Sequence, residues 1–363
     1  MSWLWRRVRV TSLDDLDLLR KLDPSDMLGR IAELPKQCRD AWANVQGLEL
    51  PSNYRRVDKV IVLGMGGSAI GGDLLRTLAE PECAVPIFVN RDYQVPAFVD
   101  RETLAIASSY SGNTEETLSA FEDARRKGAK LLAITTDGRL AERARELGVP
   151  LLTFSYESQP RAALGYSLIS LVGILARLGL MADKSADVEE AAEVMEALQG
   201  EIGESVPLAE NPAKRLAKKL HGHLPVVYGA GFLAEVAHRW KTQFNENSKA
   251  WGFFEQLPEL NHNAVVGYQF PADLAEKVVI IMLTSPLDHP RHKVRFRVTR
   301  EILAKRGIAC EEVEARGRSP LAQMLSLVHF GDYVSFYLAM LYEVDPTPVE
   351  IIAYLKERLA RFQ

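Results

Sequence analysis

The chain has 363 residues, 47% of them hydrophobic and 25% charged, with 44 Lys and Arg against 48 Asp and Glu for a net charge of −4. Such a length points to more than one domain, and the composition is that of an ordinary folded, enzyme-sized protein able to bury a core without disulfide or metal staples. The near-neutral balance excludes the basic surplus that a nucleic acid or an anionic membrane surface would demand, so neither is expected as a partner.

Residues 1–10 carry Trp and Arg but no apolar run and no small-residue cleavage site, so they do not read as a signal peptide. Ser12 then precedes apolar residues at helical spacing (Leu13, Leu16, Leu19, then Met27, Ile31, Leu34), which predicts a helical extension over residues 1–50. From there short apolar runs alternate with amphipathic ones. Strands are expected at 59–63, 85–90, 104–107, 131–135 and 151–154, with helices at 69–78, 113–127 and 140–147. Continuous apolar strands between helices are the signature of a parallel sheet covered on both faces. The most apolar stretch, 162–176, is shorter than the ~20 residues of a membrane span and reads as a buried helix. The Glu-rich segment 181–204 reads as a helical linker.

The pattern then restarts. A strand at 224–228 ends in Gly229-Ala230-Gly231 and leads into a helix through Ala234 and Val236. A strand at 277–283 ends in Thr284-Ser285-Pro286, and a helix at 295–305 precedes a strand at 308–313. Val60–Gly67 aligns with Val226–Gly231, and Leu104–Ser111 with Val278–Ser285, so the chain reads as two copies of one α/β unit. A long apolar helix at 325–341 and a last helix to Phe362 complete it. The expected division is an extension at 1–50, one α/β domain at 51–180, the linker at 181–204 and a second domain with C-terminal helices at 205–363.

Cys38, Cys83 and Cys310 are odd in number and far apart, build no disulfide framework or CxxC clip, and suit a reducing cytoplasm. Gly64-Met65-Gly66-Gly67-Ser68-Ala69 follows a strand and precedes a helix, the arrangement that seats a pyrophosphate on a helix N-terminus. Against a nicotinamide cofactor, Asn90 ends the second strand where an acidic residue is wanted, and Asp92 lies beyond it. The third strand ends in Ser108-Ser109-Tyr110-Ser111-Gly112-Asn113-Thr114. Hydroxyls crowded onto such a turn either cap the helix that follows or, with the neighbouring glycine turn, bind a phosphate monoester without a metal. The close histidine pairs, His221/His223 and His289/His292, have no carboxylate or cysteine company at ligand spacing, so no metal is expected.

The Gly64–Ser68 turn together with Ser109–Thr117 resembles a sugar isomerase (SIS) domain. Adding Asn245-Glu246-Asn247-Ser248-Lys249, Glu259-Leu260-Asn261-His262-Asn263, the duplication and the chain length, the sequence from about residue 55 onward resembles the bifunctional phosphoglucose/phosphomannose isomerases of archaea and some bacteria. The resemblance implies two tandem SIS-type doubly wound parallel-sheet domains with helical extensions at both ends. It implies metal-independent, cofactor-free interconversion of fructose 6-phosphate with glucose 6-phosphate and mannose 6-phosphate through a cis-enediol. It implies Glu246 as the base, and His262 in ring opening, donated across a homodimer interface. Lys356 would assist ring opening or balance the enediolate charge, and Arg161 would stabilise the developing enediolate and hold the substrate. Gly66, Gly67, Ser68, Ser109, Ser111 and Thr114 would hold the substrate phosphate, and Thr347 would contact the substrate. Read alone, Thr347 with Glu350 also spells a capping box, with Pro348 in the first helical turn. The second domain's turns lack the Ser and the Ser-Gly-Asn-Thr pattern, so one phosphate site per chain is expected. The alternatives are a non-catalytic phosphosugar-binding regulator, an SIS isomerase of another sugar phosphate and, last, a dehydrogenase.

Overall fold

A computed structural model describes residues 12–362. The reading of residues 1–10, and the start of the predicted helical extension, lie outside the described residues. Strands β1 (Lys59–Leu63), β2 (Ile87–Asn90), β3 (Thr103–Ser109), β4 (Lys130–Thr135) and β5 (Leu151–Thr153) form an all-parallel sheet in the order β2-β1-β3-β4-β5. A second parallel sheet contains β6 (Leu224–Ala230), β7 (Phe253–Leu257), β8 (Val278–Thr284) and β9 (Ala309–Glu314), ordered β7-β6-β8-β9. Every strand expected from sequence forms, and the expected fold of two α/β sheets is the one observed. In both sheets the strand order reverses, between β1 and β3 and between β6 and β8. Those switch points are where open α/β sheets leave a crevice at the carboxyl ends of their strands.

The helices are α1 (Leu16–Leu22), α2 (Met27–Ala32), α3 (Leu34–Gln46), α4 (Gly66–Ala79), α5 (Glu115–Arg126), α6 (Gly138–Leu147), α7 (Leu164–Arg177), α8 (Ser185–Ile202), α9 (Pro212–Leu220), α10 (Ala234–Glu246), α11 (Pro290–Lys305), α12 (Pro320–Leu341) and α13 (Glu350–Leu359). One apolar cluster draws on α3, α4, α7, α8, α10 and α12 and so joins the two sheets. Gln37 of α3 reaches the start of α7, donating to the Ala162 carbonyl at 2.7 Å and accepting from the Gly165 N–H at 3.2 Å. The N-terminal extension therefore packs as part of the core. α8 is a helix, as expected of the linker, and lies between α3 and α12 with Val188, Ala191, Met195, Leu198 and Ile202 buried.

The 162–176 stretch forms the buried helix α7, as expected, and the long apolar helix expected at 325–341 is α12. Its 22 residues are long and apolar enough to cross a membrane, yet its most apolar window is 94% buried inside the chain, which makes it a core helix. Two elements went unassigned in the sequence, β7 and α9. β7 is an edge strand with Phe253 exposed, so its residues do not form the continuous apolar run of a central strand. α9 is a single short helix opened by the Asn211 side chain and Pro212.

Inside this core Arg239 of α10 donates to Asp332 of α12 at 2.9 Å, both side chains almost wholly buried. Removing one partner strands the other charge in a medium that solvates it poorly. Asp332→Ala is therefore expected to lower stability by about 3–5 kcal/mol, read as a lower urea midpoint with little change in slope.

Candidate active site

The glycine turn and the hydroxyl turn meet at the first switch point. Ser68 at the start of α4 accepts the Tyr110 N–H at 3.3 Å, and Ser109 and Thr114 share a hydrogen bond of 3.0 Å. Ser68 and Ser109 are buried, Thr114 is partly exposed and Ser111 is exposed. Thr114 stands at the N-cap of α5, but its hydroxyl makes no capping bond, and α4 likewise has no side-chain cap. Both helices thus present first-turn N–H groups free of side-chain caps beside the hydroxyls. The turn is tight: Gly112 has φ +66°, and a Cβ there would lie 1.8 Å from the Asp137 carbonyl oxygen. The phosphate-type residues named from sequence (Gly66, Gly67, Ser68, Ser109, Ser111, Thr114) therefore occupy two adjoining turns.

This corner adjoins a second cluster. A Cβ on Gly67 would come within 2.8 Å of the Pro160 carbonyl oxygen, so only glycine lets the first turn lie against the Pro160–Ala162 turn that carries Arg161. Tyr110 strengthens the junction by bonding the Tyr156 carbonyl and accepting the Ser158 N–H. Arg161, 2% exposed, donates to Asn247 Oδ1 at 2.6 Å and to the carbonyls of Pro346 and Thr347 at 2.6 and 2.8 Å. Its Nη1 lies 3.5 Å from Glu246 Oε2 and has no hydrogen-bond partner. Burial pulls the guanidinium down and Glu246 opposes the shift.

Glu246 is the last residue of α10. Beyond it Asn247 bonds Ser335 Oγ at 3.0 Å and Ser248 bonds the Ser335 carbonyl at 2.6 Å, fixing the helix end to α12. Glu246, Asn245 and Lys249 line a cleft of about 500 Å³ with Asp345, Pro348 and Glu350. Lys249 escaped the sequence reading. Its Nζ donates to the carbonyls of Glu246 at 2.6 Å and Pro346 at 2.9 Å. The one available signal was its place in the Asn-Glu-Asn-Ser-Lys segment.

Thr347 lies beside Arg161, and its buried hydroxyl has no partner. The expected capping box does not form. α13 starts only at Glu350 with Val349 as N-cap and no side-chain cap, because the turn before it is pinned by Arg161 on the Pro346 and Thr347 carbonyls and by Asp345 on the Thr347 N–H. Two expected residues are not brought to this cluster by a single chain. His262 is exposed on the one-turn helix Glu259–His262 after β7, and Lys356 is exposed on α13. Among the described residues neither side chain makes a hydrogen bond or ion pair.

The second switch point is closed on itself. Asp288 takes the Ser285 N–H at 2.8 Å, and the Ser285 hydroxyl bonds Gln323 and accepts the Leu287 N–H at 2.8 Å. A carboxylate of the chain holds the donors that stay open at the first. Asp73 of α4 with Glu235 and His238 of α10 form a group of metal-binding type not foreseen from sequence. Both carboxylates are already engaged, Asp73 by Arg91 and Glu235 by Arg76, so the group is a charge network between the two sheets.

Residues 53–147 match the SIS domain family, and residues 209–359 match the bacterial phospho-glucose isomerase C-terminal SIS domain family. The bifunctional phosphoglucose/phosphomannose isomerase of Caldicellulosiruptor bescii is 44% identical, covering 93% of this chain and all of the relative. The protein of that description from Aquifex aeolicus is 39% identical over 83% of this chain and 90% of its own length. Among solved structures, the C-terminal domain of glucosamine-fructose-6-phosphate aminotransferase from Francisella tularensis superposes with a TM-score of 0.71 at 15% identity, covering 89% of this chain and 98% of that one, a likeness of fold.

Burial pushes the Asp288 carboxyl up from 3.8 to about 6, with the Ser285 N–H opposing. The folded chain then binds more protons than the unfolded one between these values, so this group's contribution to stability falls as pH rises through that window. Asp288→Asn keeps an acceptor for Ser285. It is expected to leave stability unchanged at pH 4 and to raise it at pH 7 by at most about 3 kcal/mol, measured by urea unfolding at both pH values.

Proposed function

The chain belongs to the bifunctional phosphoglucose/phosphomannose isomerase family, and we propose that it interconverts fructose 6-phosphate with glucose 6-phosphate and mannose 6-phosphate without a metal or other cofactor. The observation that carries the reading is the 3.5 Å pairing of Arg161 with Glu246, at a cleft that adjoins the hydroxyl turn through Gly67 and Pro160. The phosphate takes the Gly66–Ser68 and Ser109–Thr114 donors, with the open first turns of α4 and α5 adding their dipoles. The carbon end of the sugar then lies toward Glu246.

Glu246 removes the proton from C2 of the aldose and returns it to C1, and the reverse from the ketose, through a cis-enediolate. Arg161 Nη1, free of other partners, stabilises the charge that develops on oxygen. Rotation about C2–C3 turns either face of C2 toward Glu246, which accounts for two aldose products. Thr347 Oγ1 gives the substrate a hydrogen bond. His262 opens the ring from the partner subunit, its imidazole able both to give and to take a proton, and Lys356 assists at the site the dimer completes. The surface supports a homodimer. α13 buries no residue and exposes Ile351, Tyr354, Leu355 and Leu359, with Phe362 exposed just beyond its end, while the segment after His262 exposes Val266 and Phe270. The free cysteines suit a cytoplasmic setting.

The deciding experiment is turnover of fructose 6-phosphate in the presence of EDTA, following the two aldose phosphates separately. Both are expected from the wild type, and Glu246→Gln is expected to lose at least about 100-fold in kcat while still binding the sugar phosphate. Binding without turnover by the wild type would favour the regulator. Full turnover by Glu246→Gln would remove the base assignment.

The trans role of His262 is tested by mixing subunits. Glu246→Gln and His262→Ala are each expected to be inactive alone, and re-equilibrated mixtures to recover roughly a quarter of wild-type activity, because one site of each mixed dimer is intact. No recovery in verified mixed dimers would place His262 in its own chain's site or outside catalysis.

A further inference from the structure

We infer that Lys249 is a positioning residue for Glu246: its ammonium ties the end of α10 to the turn before α13 and so sets where the carboxylate stands in the cleft. The inference rests on the isomerase reading above. Its basis is the way α10 stops. The Ala250 N–H returns to the Phe244 carbonyl at 3.0 Å, and Lys249 takes the left-handed conformation, φ +54°. That position in a helix stop is normally glycine, because a Cβ disfavours the conformation. A lysine there brings a side chain that is used. It caps the carbonyl of Glu246, one of the helix-end carbonyls without an internal partner, and bonds the Pro346 carbonyl as well. Arg161 donates to the same Pro346 oxygen. The main chain of the base and the turn carrying Thr347 are thereby held by two cations on one acceptor.

The charged groups facing Lys249 are Arg161 from the Pro160–Ala162 turn, Glu246 from α10 and Asp345 from the turn before α13. Partial desolvation of Nζ, helped by Arg161 and opposed by Asp345 and Glu246, brings the ammonium down to about 8. Its pKa lying below the ordinary lysine value, the tether is mostly charged at neutral pH and loses its charge as pH rises through about 8.

The test compares kcat and KM from pH 6 to 10 for the wild type, Lys249→Met and Lys249→Arg. The wild type is expected to show an alkaline fall in kcat near pH 8. Lys249→Met should lose about ten- to a hundredfold in kcat, with KM little changed and the fall near pH 8 gone. Lys249→Arg, always charged, should recover most of kcat and keep it to pH 10. Wild-type kcat and an unmoved alkaline limb in folded Lys249→Met would overturn the inference. If that variant does not fold, an unmoved limb in Lys249→Arg overturns it. An inactive wild type would remove the isomerase reading and this inference with it, whereas an active wild type with indifferent variants removes this inference alone.

Discussion

A guanidinium almost out of reach of water has to find its acceptors inside the protein, and Arg161 finds them on segments far apart in the chain. Its donors go to Asn247 after α10 and to the carbonyls of Pro346 and Thr347 before α13, while its own carbonyl accepts from Arg239 at 2.7 Å. Arg239 in turn is held by Asp332 of α12. Buried polar groups that lose a partner cost more than the bond was worth, because the group left behind has no water to turn to. The first α/β unit, the end of α10, α12 and the turn before α13 are therefore coupled through one side chain. The cations Arg161, Arg239 and Lys249 stand close together, and Glu246, Asp332 and Asp345 offset them. Glu246 sits at the edge of this knot, so the position of its carboxylate is inherited from the core.

The duplicated unit explains how one fold supplies two different corners. Both sheets reverse strand order, and both put a glycine turn and a hydroxyl-bearing turn at the reversal. At the first, Ser109 and Thr114 bond each other and leave the helix starts uncapped. At the second, Asp288 and Gln323 accept the N–H and O–H of Ser285, and the Leu287 N–H donates to its hydroxyl oxygen. A carboxylate in that place repels an incoming anion as well as occupying its donors. The second unit contributes instead the end of α10, which the sheet aims across the inter-sheet core at Arg161.

Much of this was legible in the sequence because it rests on local signals. Central parallel strands are apolar on both faces, so β1, β3, β4, β6 and β8 announce themselves, and the glycine and hydroxyl turns mark the switch points. β7 did not, since an edge strand with an exposed Phe253 lacks that pattern. The capping box at Thr347 was a correct local pattern overridden by distant partners: Arg161 claims the carbonyls that a helix beginning there would use. Lys249 and the Asp73–Glu235–His238 group were hidden for the complementary reason. A lysine in a polar segment and acids on two separate helices acquire meaning only when tertiary packing brings their partners to them.

One chain assembles the proposed base and its counter-charge, Glu246 and Arg161, but leaves the proposed ring-opening group elsewhere. Proton transfer at C1 and C2 and protonation of the ring oxygen occur within a few ångströms on one sugar, so the groups that perform them must converge on it. A hinge within the chain could bring His262 in, but the turn that carries it is tied down. Asn261 bonds Thr299 at 2.9 Å and accepts from Arg295 at 3.2 Å, both on α11. A second copy needs no such movement. The apolar side chains left exposed on α13 and after His262 are surface that association would remove from water, and apolar burial is the dominant favourable term in such contacts. On the proposed reading, the force that assembles the dimer and the requirement that completes the site are satisfied by the same contact.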